Sequence, residues 1–170
     1  MTGIIQALLG VNRTTPSTAI AAYISGGTPS GGSTPTSAYQ KLRFSNETVS
    51  TLAATLSAAR ETLGGFSNSG TAGYSFGGST NGTVVDKLAF SNETNSTITV
   101  LPQATNDLNG AANQGTAGYM LGGWTSGAKT SIYKYAFPAD TQTTLSAVLT
   151  FADYHQGTGQ NKGAAVYSMT

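Results

Sequence analysis

The one histidine, His155, stands beside Asp153 and Tyr154, and seven carboxylates are spread along the 170 residues: Glu47, Glu61, Asp86, Glu93, Asp107, Asp140 and Asp153. A zinc centre takes several nitrogen or sulfur ligands, and a single histidine in a chain without cysteine does not supply them. No Gly-x-Ser-x-Gly elbow accompanies His155, so nothing marks a hydrolytic nucleophile. The glycine-rich runs lack the Gly-Lys-Ser/Thr of a phosphate loop. Glu47, Glu93 and Asp140 are different: they fall at one recurring position. A set of like carboxylates suits a polar turn or a calcium ion, whereas acid–base catalysis needs carboxyls in contrasting surroundings. Lys41, Lys87 and Lys134 recur with them and are expected to form solvated ion pairs, each worth under about 1 kcal/mol. The expectation is a protein that is not an enzyme and uses no cofactor or metal.

Aromatic side chains are the better candidates for contact with a ligand. Trp124, directly after Gly122-Gly123, and Tyr133 or Tyr154 could stack on a sugar ring or anchor a protein contact. The competing use for all three is filling space between packed sheets.

What must position these residues is a repeat. Tyr-x-x-Gly-Gly occurs at Tyr23–Gly27, Tyr74–Gly78 and Tyr119–Gly123, and a worn copy, Tyr167-Ser168-Met169, follows. The tyrosines are 51, 45 and 48 residues apart, a period expected of propeller blades or a solenoid. After each Gly-Gly comes a segment ending in Phe44, Phe90 or Phe137. Leu42, Leu88 and Tyr135 share a face with that Phe, and the recurring lysines face the other way, which is strand alternation. Asn-Glu-Thr or Ala-Asp-Thr then forms a polar turn. Third strands are expected over 49–56, 97–101 and 143–149. Fourth strands are expected over 63–66, 108–112 and 155–159, each followed by an Asn/Gly turn back to the next Tyr strand. The units run over about 19–70, 71–115 and 116–163, with a closing strand at 164–170.

Residues 2–11 read as a short amphipathic helix within an N-terminal arm, 1–16, ahead of the repeat domain, 17–170. Thr2 can cap it, and Ile4, Ile5, Leu8 and Leu9 share one face. So short a helix is marginal alone and needs a partner, either its own sheet or a neighbouring subunit. No basic region precedes the apolar run, and the run is too short to span a bilayer, so neither a signal peptide nor membrane insertion is expected. Charged residues make up only 9% of the chain and the net charge is +1, which excludes an electrostatic nucleic-acid binder. Few charges and many hydroxyls suit a surface engaged with other subunits.

The Tyr-x-x-Gly-Gly strand, the apolar-aromatic strand, the Leu-bearing strand and the hairpin to the next Tyr strand together resemble the kelch repeat. Arg60 sits where kelch repeats often carry arginine. The chain departs from that pattern in lacking the third-strand tryptophan, in lacking the arginine in later units, and in having three units. The resemblance implies an all-β, propeller-type arrangement of three kelch-like four-stranded blades with a short N-terminal helix, the ring closing within one subunit or through a neighbour. Ser/Thr/Gly-rich kelch-like repeats of this kind are also similar in style to bacteriophage virion proteins. The expected function is a structural component of a virion (decoration, tail or fibre subunit), made as a soluble cytoplasmic chain. It would form a homo-oligomer and meet other virion proteins. The alternative is a glycan-binding or adhesin module that meets a surface glycan.

Overall fold

The computed structural model describes residues 20–79, 82–154, 157–160 and 166–169. The expected helix with Ile4, Ile5, Leu8 and Leu9, and His155, lie outside the described residues. Every regular element that is described is a β-strand. Strands β1 (Ala21–Ser25), β2 (Ala38–Arg43) and β3 (Thr48–Thr55) form a first antiparallel sheet. A second, four-stranded sheet contains β4 (Gly64–Asn68), β5 (Ala72–Phe76), β6 (Val85–Ala89) and β7 (Thr94–Thr97). The third contains β8 (Asn109–Asn113), β9 (Ala117–Leu121), β10 (Ile132–Ala136) and β11 (Thr141–Thr144). A hairpin of β12 (Gly157–Gln160) and β13 (Val166–Met169) follows. None of these sheets is closed on itself.

The sheets are offset from the sequence units by one strand. The strand that ends each sequence unit leaves its own unit and pairs with the Tyr strand of the next: Phe66 lies opposite Tyr74, Ala111 opposite Tyr119, and Gly159 opposite Tyr167. The turns dictate this. Three residues connect β4 to β5, with Gly70 at φ 72°, and β8 is joined to β9 the same way through Gly115 at φ 76°. Two strands joined so tightly can only pair with each other. By contrast, the β3–β4 connection is long enough to cross from sheet to sheet. The third strands also begin earlier than the sequence implied. β7 and β11 start directly after the polar turn and consist of Thr, Asn, Ser and Gln, while Leu101 lies beyond the strand and is buried from the loop.

Alternation along β6 shows how one strand serves two interfaces. Leu88 packs with Tyr39 and Leu56 of the first sheet's side, and Val85 joins the larger cluster formed with Phe66, Tyr74, Phe76, Met120 and Tyr135. Successive sheets are therefore held face to face, with first strands side by side: β4 runs along β8, and β8 along β12. The Gly-Gly pairs end the Tyr strands where backbones meet. Gly77 and Gly78 have φ of 65° and 91°, and a Cβ on either would come 2.4 Å from the Thr105 carbonyl or 2.5 Å from that of Glu61. Only glycine satisfies both demands.

Arg60 joins the first sheet to the second. Its carbonyl accepts the Gly27 amide at 2.8 Å, and its guanidinium donates to the carbonyls of Gly77 (2.8 Å) and Val84 (3.1 Å) and pairs with Asp86. Both partners are fully buried. Asp86 also accepts from the Ser57 amide and hydroxyl, Asn95 Nδ2 and Thr97 Oγ1. Burial pulls the guanidinium's pKa down, and Asp86 offsets part of that. Removing one partner of such a pair strands a buried charge, so Arg60→Met is expected to cost about 3–5 kcal/mol in urea unfolding. Adding Asp86→Asn to it is expected to cost less than the sum of the two single changes, because no lone charge is left.

Candidate functional site

One interlock is built twice between successive sheets. Cross-strand register places Tyr23 opposite Lys41, Tyr74 opposite Lys87, and Tyr119 opposite Lys134. Into the first pair come Phe90 and Glu93 from the turn after β6. The Tyr23 and Phe90 rings stack at 4.8 Å with planes 12° apart, and Tyr23 Oη donates to Glu93 Oε1 at 3.2 Å. Lys41 forms an ion pair with Glu93 and sits 5.4 Å from the centre of the Tyr23 ring. Phe137 and Asp140 enter the second pair in the same way. Phe137 stacks on Tyr74 at 5.4 Å, Tyr74 Oη donates to Asp140 at 2.8 Å, and Lys87 pairs with Asp140 while lying 5.5 Å from the Tyr74 ring.

The turn that presents each Phe and acid is locally fixed. Glu47, Glu93 and Asp140 have φ of 54°, 54° and 53°, a left-handed conformation that only a minority of non-glycine residues adopt. Asn46 Oδ1 accepts from the Thr48 amide and hydroxyl, and Asn92 does the same for Thr94. The recurring acids are thus turn residues, as their position implied. Their lysines, however, belong to the preceding sheet, so each ion pair bridges two sheets.

At the two ends of the series the interlock is half built. Tyr119 and Lys134 have their register, but among the described residues neither has a ring stacked on it, a side-chain hydrogen bond or an ion pair. Phe44 and Glu47 occupy the turn after β2, yet among the described residues Glu47 has no ion pair, and Phe44 is 46% exposed, where Phe90 and Phe137 are partly covered. Next to them lies a groove of about 730 Å³ between β1 and the β4–β5 hairpin, lined by Ile20, Tyr23, Phe44, Phe66, Tyr74 and Phe90 among others. The other two Tyr strands, β5 and β9, each carry a first strand on this edge, but β1 has none among the described residues.

A second aromatic cluster lies at the far side of the third sheet. Trp124 and Tyr154 meet edge-to-face at 4.8 Å, and both are exposed, at 39% and 41%. They are brought together because the Gly123 amide donates to the Asp153 carbonyl (3.0 Å), tying the two loops. Tyr133 does not join them. It is 4% exposed and part of the core between the second and third sheets, the packing use that the sequence left open beside a ligand contact. The reason is positional: in the repeat, Tyr133 stands where Asp86 stands in the preceding unit, on the face turned to the previous sheet.

No protein-family model matches the sequence, and no curated protein matches it. Among the described residues no helix is long and apolar enough to cross a membrane.

The interlocks carry a pH signature. The hydrogen bond from Lys41 holds the Glu93 carboxyl below its ordinary value of 4.5, and the same bond raises Lys41. A depressed carboxyl stabilises the fold above its unfolded pKa, and that contribution is lost as pH falls through the lower, folded value. Glu93→Gln is therefore expected to cost under about 1 kcal/mol at pH 7 and nothing at a pH below both values, as read by urea unfolding at each pH. Burial, ahead of other causes, pushes the hydroxyl pKa of Tyr39 up to about 12 and also raises those of Tyr74 and Tyr135, so none of these hydroxyls titrates near neutrality.

Proposed function

We propose that this chain is a non-enzymatic structural protein, a bacteriophage virion component of the decoration, tail or fibre kind, that works by assembling with copies of itself and with other virion proteins. Its sheets are read as kelch-like blades in a propeller-type arrangement. The observation that carries the reading is the edge of the first sheet. Among the described residues no strand pairs with the edge of β1 beside the apolar groove, and Ile20, Ile24, Phe44 and Val49 are exposed on or next to that sheet at 74%, 53%, 46% and 60%. An open strand edge flanked by apolar side chains recruits other chains unless it is covered. Low charge favours the same outcome, since little repulsion opposes close packing of copies. The N-terminal residues Ile4, Ile5, Leu8 and Leu9 would add a second, separate contact. Light scattering of the purified full-length chain tests this. A mass of at least two copies of the 17.3 kDa chain is the expected result, reduced in an Ile4→Asp/Leu8→Asp variant. A monomer at every concentration overturns the reading.

The meeting of Trp124 and Tyr154 favours a second reading, a glycan-binding or adhesin module. Two exposed rings with their planes 62° apart offer one face and one edge to a sugar ring. On a glycan array the native chain is expected to mark a defined set of glycans, and Trp124→Ala to lower that signal about tenfold or more, the loss of one well-placed ring contact. An unchanged signal excludes this site.

A further inference from the structure

The two half-built interlocks are complementary, and both belong to the same chain. Among the described residues, Tyr119 and Lys134 meet no Phe and no acid of a following sheet, and Phe44 and Glu47 meet no Tyr and no Lys of a preceding one. We infer that Tyr119 and Lys134 of one copy receive Phe44 and Glu47 of a second copy, and that β12 of the first copy fills the groove beside β1 of the second. This inference rests on the assembly reading and names its contact.

The geometry required is already present twice within the chain. Each interlock joins a sheet to the one after it, so the second copy's first sheet must stand directly after the third sheet. That place is marked by β12, which runs along β8 as β8 runs along β4. Among the described residues β12 is a first strand with one further strand beside it, and the first sheet is a set of later strands without a first. Together they make one four-stranded sheet of the kind the second and third sheets show. Two strands then compete for the same edge of β12. β13 carries Tyr167 opposite Gly159, and β1 of the second copy would carry Tyr23 there. Exchanging one for the other keeps the number of ladder bonds similar, and β1 brings β2, β3 and the interlock with it. Such an exchange of equivalent elements is a low-cost route to association.

The arrangement is head-to-tail, so it forms a ring or an open row according to the rotation between copies.

Charge reversal tests the pair. Glu47→Lys and Lys134→Glu are each expected to weaken association about tenfold or more by light scattering. Mixing the two variants is expected to restore association between unlike copies, because each junction of one variant with the other holds one lysine and one glutamate. Recovery on mixing also shows that neither variant is misfolded. If the single variants associate like the native chain, or the mixture stays dissociated, the interlock contact is overturned, while a native oligomer leaves the assembly reading standing. The strand exchange is read separately. The chain has no cysteine, so an Ile24→Cys/Thr158→Cys double variant offers one possible disulfide, set by the register of Ser168 opposite Thr158. A link between chains is the expected product. A link within one chain, or none under oxidising conditions, overturns the exchange.

Discussion

The buried ion pair between Arg60 and Asp86 decides how the first sheet meets the second. A fully buried guanidinium has few tolerable positions, because each of its donors must find an acceptor or remain without one. Arg60 directs Nη1 at two carbonyls and Nη2 at Asp86, and leaves only Nε without a hydrogen bond. Its own carbonyl holds the Gly27 amide, so the turn at the end of β1 and the strand carrying Asp86 are referenced to the same residue. Hydrophobic packing between Tyr39, Leu56 and Leu88 would allow the sheets to slide, but the pair permits one alignment. At the next junction the equivalent positions hold Thr105 and Tyr133, both buried, so the same place is filled without charge. At this one position the first junction is set by polar geometry and the second by volume, while both also carry a Tyr, Lys, Phe and acid interlock.

Scarce charge makes this use of it more telling. The chain has eight basic and seven acidic residues, and among the described residues three ion pairs take up six of the fifteen, each of them between successive sheets. Ion pairs on open surfaces add little to stability, whereas pairs set between packed elements select one alignment over others. The hydroxyl-rich filler that replaces charge elsewhere leaves backbone ladders and glycine contacts to provide cohesion. Gly118 illustrates this, because a Cβ there would fall 2.1 Å from the ring of Phe66.

Much of the architecture could be read from the recurring residues. The Tyr, Phe and Lys spacings located β1, β2, β5, β6, β9 and β10, and the Asn/Gly turns located the hairpins, because strand alternation and positive-φ turns are local properties. What could not be read locally was partnership between units. Lys41 and Glu93 are 52 residues apart, and nothing in either segment says that a lysine bonds to the acid of the following unit. The signal available was that Tyr, Lys, Phe and acid recur together as a set of four. The choice between packing and contact for Tyr133 stayed open for a related reason: its exposure depends on which face of β10 meets the second sheet, and that follows from the one-strand offset. Asp86 was one of seven scattered carboxylates in the sequence, and in the fold it accepts from Arg60, Ser57, Asn95 and Thr97.

The one-strand offset has a consequence for how such a chain can change length. Because each sheet borrows its first strand from the preceding unit, the pattern has no privileged starting point. A tandem duplication of one whole period, wherever it begins, adds a complete sheet with one complete junction and leaves every existing contact in place. Duplicating or deleting part of a period leaves a Tyr and Lys, or a Phe and acid, facing nothing. The genetic events such a protein can survive are therefore counted in whole multiples of its repeat, and a family of different sizes could descend from it without any new interface being invented.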